Sequence, residues 1–465
     1  MIVEKDEGKS KNMKKKFHFE LSTTQIIMLG FMLVILMGSV LLAMPFCSAS
    51  GKAVPYLDAL FMSTTATCVT GLVTLPVVST WSVWGQIIIL VLIQIGGLGV
   101  ITIMSGLMIS LRKKMGIRDR ILLQDAFNLN SLSGLVAFTK KVILGTFLVE
   151  GTGALLCMPV FVPEYGPKGI WISVFHSISA FCNAGIDIIS ENSLCDYVRN
   201  PVINVVTCIL IILGGIGFIV WWDVIRVLRK IRKQKLKCFR NLTLHSKIAL
   251  WVTFWLILIG ALAVLLFEYN NPLTIKEYSL PEKIEVSIFQ SITTRTAGFA
   301  TLPQENLTNG SSFVCLLLMF IGGSPVGTAG GIKTVTFAVL LLSMLATVKN
   351  KHDVEIFNRN LSKQAISKAI AVVSMSFIIM FLSTILLAAV MDASALDIIF
   401  ETTSATATVG LTRNITGSLP GVGKLIIIVT MFLGRVGPIS LAVAFKTRKV
   451  NQNIIKNPVE EISVG

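Results

Sequence analysis

Long apolar runs separated by short polar, glycine-bearing segments set the pattern of this chain. Hydrophobic stretches cover Gln25–Met44, Trp84–Leu111, Val202–Trp222, Ala249–Phe267, Val372–Val390 and Lys424–Phe445. Each approaches or exceeds the roughly 20 residues that carry a helix across a hydrocarbon layer. Between such runs four segments resemble one another: Phe61–Leu72, Phe175–Ile186, Phe289–Phe299 and Phe400–Leu411. Each opens on Phe, is rich in Ser or Thr, and ends on a glycine followed by an apolar residue. The glycines, Gly71, Gly185, Gly298 and Gly410, stand 114, 113 and 112 residues apart. Three near-equal intervals mark an internal repeat.

Each segment follows a membrane-length helix and begins in a short apolar stretch opened by Pro55 and Asp58, by Pro167, by Pro281 and Glu282, or by Asp392 and Asp397. Proline and acids suit a helix amino terminus, and the stretches are too short to span. The unit is therefore helix, re-entrant pore helix, extended filter strand, helix. The expected architecture is an all-α integral membrane protein: four pseudo-repeats around one central pore, with eight transmembrane helices and four pore helices. The repeats fall at 25–118, 119–245, 246–362 and 363–449, flanked by a basic amino-terminal tail (1–24) and a carboxy-terminal tail (450–465).

Composition agrees, since 53% of the 465 residues are hydrophobic and only 14% charged, against about 25% in soluble domains. The net charge of +16 would suggest nucleic acid but for its placement. Of 41 Lys and Arg, 31 lie in segments 1–16, 112–141, 226–247, 349–368 and 446–456. That alternation is the positive-inside pattern; it predicts a multi-pass plasma-membrane protein with both termini cytoplasmic and every re-entrant loop on the outer side. Basic loops beside a membrane find anionic lipid and need no nucleic acid. The eight cysteines form no CxxC pair and the four histidines are dispersed, so neither a disulfide framework nor a bound metal is expected.

Non-helical backbone at membrane depth is tolerated only where protein or a wet cavity surrounds it. Four strands on one axis can aim carbonyl oxygens inward and replace an ion's hydration shell. The candidate filter is Thr70 and Gly71; Asn183, Ala184 and Gly185; Ala297 and Gly298; Val409 and Gly410. Neutral oxygens suit a monovalent cation as the substrate, with no cofactor expected in this chain.

A second glycine cluster recurs in each unit's last helix: Gly96, Gly97 and Gly99; Gly214, Gly215 and Gly217; Gly322 and Gly323; Gly434 and Gly437. In the first two units it reads as close helix packing. In the third it opens Gly322–Thr334, whose glycines and proline should break a helix. Gly322, Gly323, Ser324, Pro325, Gly327, Thr328, Gly330, Gly331 and Lys333 are read as a flexible plug below the filter, its backbone solvated by a wet cavity. A phosphate-binding loop needs glycine directly before its lysine, where Ile332 stands. Arg435, in the middle of the last apolar run, should face protein or water, at a constriction beside the plug, paired with Glu150, or both. Arg295 is expected to brace the third strand from behind. Asp58, Asp187, Glu191, Glu285, Asp397 and Glu401 could raise the local cation concentration, or act as caps. No enzyme signature is present.

From about Gln25 to Lys449 the chain closely resembles the Ktr/Trk/HKT superfamily of potassium transporters. The four filter glycines, Gly322–Thr334 and Leu433–Pro438 carry the likeness. With its first repeat so near the amino terminus, it looks more like the KtrB branch than the longer Trk branch. The resemblance implies a homodimer, one pore per subunit, on a cytoplasmic ring of nucleotide-binding RCK-type (KtrA-like) partners. It also implies that Gly322–Thr334 gates, that Arg435 sits beside the gate, and that glycine rather than serine at Gly71 favours potassium over sodium. A sodium-permeable or sodium-coupled transporter of the same fold is the alternative, with an organic-solute transporter further behind.

Overall fold

A computed structural model of the chain describes residues 22–111, 116–126, 134–230, 235–351 and 353–437. The two terminal tails, Pro438 and parts of the basic connections lie outside those residues. Four helices are long and apolar enough to cross a membrane: α1 (Thr23–Leu42), α6 (Leu135–Tyr165), α10 (Leu244–Glu268) and α14 (Lys363–Ala388). A capping box between Ser22 and Gln25 starts α1, and the Thr243 and Ser362 hydroxyls cap α10 and α14, so each start satisfies amide donors that no helical carbonyl can reach.

Each long helix is followed by a short buried one: α2 (Tyr56–Cys68), α7 (Lys168–Cys182), α11 (Leu280–Thr293) and α15 (Ala395–Ala407). Ser279 and Glu282 form a capping box on α11, with Pro281 in its first turn. Buried hydroxyls fasten the short helices to the long ones. Ser63 donates to the Ile35 carbonyl at 2.7 Å, Ser177 to Glu150 at 2.6 Å and Ser291 to Ile257 at 2.9 Å. Gly38, Gly153 and Gly260 face those hydroxyls, where a methyl group would come within 2.5 Å of the serine oxygen. The helix pairs thus approach as closely as small residues allow.

The next helices differ from the sequence expectation. Trp84–Leu111 and Val202–Trp222 read as continuous spans, yet the first divides into α3 (Val83–Leu98) and α4 (Val100–Ser110), bent by 98°, and the second into α8 (Pro201–Gly215) and α9 (Phe218–Leu228), bent by 100°. Gly99 and Gly217 adopt φ 86° and 92° with ψ near 138°, a conformation that side chains resist. In the third unit α12 (Asn309–Phe320) and α13 (Thr334–Val348) flank an irregular segment. In the fourth, α16 (Gly421–Val436) ends at Gly437 with φ 87° and ψ 137°. The second glycines of the first two units therefore do more than permit packing: the last one of each cluster turns the chain.

The arrangement closes on itself. Besides packing on its own unit, α3 touches α7, α8 touches α11, α12 touches α15 and α16 touches α2. Each unit's second long element thus leans on the pore helix of the next, and the fourth on the first. The only strands among the described residues are the two-residue pair Glu355–Ile356 and Arg359–Asn360.

Candidate ion pathway

The four short helices end alike. A residue with positive φ follows each: Val69 (56°), Asn183 (58°), Thr296 (68°) and Thr408 (52°). Val69, Thr296 and Thr408 are β-branched, which makes the conformation costly. The chain then runs extended through the glycine. One hydroxyl from each helix holds that strand. Thr65 Oγ1 and Ser404 Oγ accept from the Gly71 and Gly410 amides at 3.0 Å. Ser179 Oγ donates to the Ile186 carbonyl and Thr293 Oγ1 to that of Phe299 at 2.6 Å. These four residues were not singled out from sequence. Their signal was a hydroxyl six residues before the glycine, five in the third unit, obscured by the many other Ser and Thr nearby.

The glycines meet. A methyl group built on Gly71 would lie 2.6 Å from the Ala184 carbonyl oxygen, and one on Gly185 2.5 Å from that of Ala297. One on Gly298 would lie 2.4 Å from the Val409 oxygen, and one on Gly410 2.3 Å from that of Thr70. The built positions also fall within 3.3 Å of neighbouring glycine Cα atoms. Thr70, Gly71, Ala184, Gly185, Ala297, Gly298, Val409 and Gly410 thus form one closed ring of backbone with no room for side chains at the glycines. Asn183 stands one residue back, at the helix end.

A cavity of about 290 Å³ opens above this ring, with all four glycines in its lining and Asp187, Glu191 and Glu305 among its walls. Glu305 was missed from sequence because nothing in its local pattern distinguishes it. Asp187 accepts from the Ile189 amide at 3.2 Å. Burial pushes its carboxyl up to about 6, against the lowering effect of hydrogen bonds from Ser193, Ile189 and Ser190. The remaining acids have other employment. Asp58 pairs with Lys424 and accepts from Thr74, and Asp397 pairs with Arg413 at 2.7 Å. Glu401 accepts from Thr412 and Thr416, both at 2.6 Å, and Glu285 from Asn204 at 3.0 Å.

Below the ring lies the irregular segment of the third unit. The Ser324 and Thr328 amides donate to the Gly215 and Gly214 carbonyls, at 2.7 and 3.1 Å, where α8 breaks. The Val326 carbonyl accepts from Phe218 at 2.8 Å, and the Thr328 hydroxyl donates to the Phe181 carbonyl at 3.0 Å. The Gly330 amide donates to Thr296 Oγ1 at 3.2 Å, while the Thr334 amide closes on Gly323 at 3.0 Å. Ser324 and Thr334 share a hydroxyl contact of 2.8 Å. A wet cavity was expected to satisfy these backbone groups, yet protein donors and acceptors satisfy the ones named here. Tight fit explains the glycines: a methyl on Gly322 would sit 2.2 Å from the Gly330 oxygen, on Gly327 2.8 Å from that of Gly214, and on Gly330 1.9 Å from Thr408 Oγ1. Gly323 is as confined, 2.4 Å from the Ala329 methyl, and Gly331 takes φ 64°. The Pro325 carbonyl lies against Gly217.

Arg435 clamps the segment from the opposite side. It donates to the Thr328 carbonyl at 2.6 Å and to the Gly96 carbonyl. None of the ion pairs found among the described residues involves it. Glu150 instead accepts from the Gln94 amide at 3.2 Å, so the Glu150 pairing is replaced by a carbonyl clamp. Lys333 turns back onto the Ala329 carbonyl at 2.5 Å. Lys333 and Arg435 line two cavities of about 440 and 250 Å³, which Asp125 on α5 (Ile117–Ala126) also borders. Arg295 is buried away from the ring, donating to Thr253 Oγ1 at 3.3 Å and to the Gly322 carbonyl at 3.4 Å.

Comparison with known proteins bears on this arrangement. Residues 6–455 match the TrkH family, described as cation transport proteins. The chain is 40% identical over 442 residues to Ktr system potassium uptake protein B of Bacillus subtilis, covering 95% of this chain and 96% of that one. It is 37% identical over 460 residues to the potassium/sodium uptake protein NtpJ of Enterococcus hirae, covering 97% and 99%. Among solved structures, the potassium transporter TrkH of Vibrio parahaemolyticus superposes with a TM-score of 0.73 over 93% of this chain and 86% of that one, at 17% identity. That likeness is one of fold.

Proposed function

The chain belongs to the TrkH family of cation transport proteins, KtrB-like within the Ktr/Trk group, and from that premise we propose that it is the pore-forming subunit of a potassium uptake system. It is a transporter rather than an enzyme. The single observation carrying the reading is the closed backbone ring at Gly71, Gly185, Gly298 and Gly410 under an acid-walled cavity. Carbonyl oxygens around such a ring would take the place of water on a passing K+ ion, with no charged group to trap it. The segment from Gly322 to Lys333, clamped by Arg435, would close the path beneath and move aside for flux. Arg435 and Lys333 place positive charge there, which adds to the barrier while the segment is in place.

Relatives named for a Ktr system favour further components, and we read the basic cytoplasmic loops as facing an RCK-type ring beneath a homodimer. The name of the E. hirae relative supports a second reading, in which sodium also permeates. One experiment separates them: purified protein in liposomes, with potassium and sodium fluxes measured side by side. Preference for potassium, reduced by Gly71→Ser or Gly410→Ser, supports the filter. Equal fluxes in the parent protein, or unchanged preference in both variants, overturn it.

A further inference from the structure

A groove of about 540 Å³ lies outside the pathway, between the amino-terminal halves of α8 and α11. Val205, Ile209, Leu280, Ile284 and Ile288 form its walls, each between 39% and 56% exposed. Apolar walls are expected of any surface facing lipid. The polar lining is not. Asn204 is only 1% exposed; its amide nitrogen is spent on the Val198 carbonyl and on Glu285, while its carbonyl oxygen, Oδ1, has no partner. Among the described residues, the one hydrogen bond found on the Glu285 carboxylate comes from Asn204. The groove therefore offers the Glu285 carboxylate as an acceptor with no cation beside it among the described residues, at the edge of an apolar trough. A carboxylate without a cation facing hydrocarbon is unfavourable, and a donor-bearing, positively charged occupant relieves it.

We propose that this groove binds a membrane lipid whose headgroup donates hydrogen bonds, an ammonium headgroup such as ethanolamine's resting on Glu285, which Asn204 holds in place, with an acyl chain along Ile209 and Ile288. The inference depends on membrane residence and not on the reading of the pore. Native mass spectrometry of the full chain with phosphatidylethanolamine or phosphatidylcholine of identical acyl chains tests it. The ethanolamine lipid is expected to bind in preference. Glu285→Leu should weaken that lipid by about tenfold, the worth of one charge-assisted hydrogen bond, and abolish its preference over the choline lipid; Ile209→Trp should exclude both.

Cys208 on the groove wall gives a readout that needs no change to the lining. With Cys195→Ser and Cys238→Ser as background, an apolar maleimide should react with Cys208 more slowly in ethanolamine-lipid vesicles than in choline-lipid vesicles. Equal binding of the two lipids, equal labelling rates, or an Ile284→Cys variant that cross-links to a second copy would each overturn the proposal. The last outcome would assign the groove to a protein interface.

Discussion

Val69, Thr296 and Thr408 hold backbone angles that cost on the order of 1–3 kcal/mol each in β-branched residues. The turn that they and Asn183 make brings each strand under its hydroxyl, of Thr65, Ser179, Thr293 or Ser404. Ser404→Ala leaves the Gly410 amide without its partner, a loss of about 1–3 kcal/mol for a buried donor. Potassium-over-sodium preference in liposome flux should fall while the protein still purifies intact, and Ser404→Thr should retain it. The vestibule adds a pH dependence. With its carboxyl at about 6, Asp187 is charged above that pH and neutral below it. Its attraction for cations is thus present at neutral pH and lost as the outer pH falls through 6. Potassium uptake from dilute solution should decline over that range, and Asp187→Asn should flatten the decline at the lower level. The four glycines were legible in the sequence because a strict period exposed them. The partners of Arg435 were not: its two carbonyls lie 107 and 339 positions away, and main-chain oxygens leave no signature in a sequence.

The glycine breaks decide which helices run straight. Both halves of Trp84–Leu111 are apolar, so hydrophobic periodicity passed through Gly99 unchanged and predicted one rod. Only the glycine's sign of φ distinguishes a rod from a corner, and composition does not record that. Gly217→Ala should test the corner: its methyl would sit 2.3 Å from the Pro325 oxygen at φ 92°. This positive-φ, extended backbone alone costs on the order of 1–3 kcal/mol in an L-residue, so the unfolding temperature in detergent should drop measurably. The segment at 322–333 was legible as helix-breaking, and its role as a plug is testable at this level. Arg435→Gln weakens its hold on Thr328, and removing residues 327–331 shortens it. Both should raise passive potassium leak in liposomes, the deletion more. If neither conducts better than the parent protein, the segment does not close the path.

At the level of the whole molecule, hydrophobic length gave the class, charge placement an expected orientation and the period an expected common axis, while which unit leans on which emerged only from contacts between units far apart in sequence. The orientation itself is checked by impermeant thiol labelling in whole cells. A cysteine at Lys52 or Asp196 should react from outside, and one at Lys351 only after permeabilisation. The closed order, in which the fourth unit leans on the first, also sets how such a protein can diverge. In a channel built from four identical subunits, one codon alters all quadrants at once. Here a single substitution edits one quarter of the circle, so the quadrants are free to specialise: the third carries Arg295 and a glycine-rich break in its last helix, and the fourth a cation that hydrogen-bonds to that break.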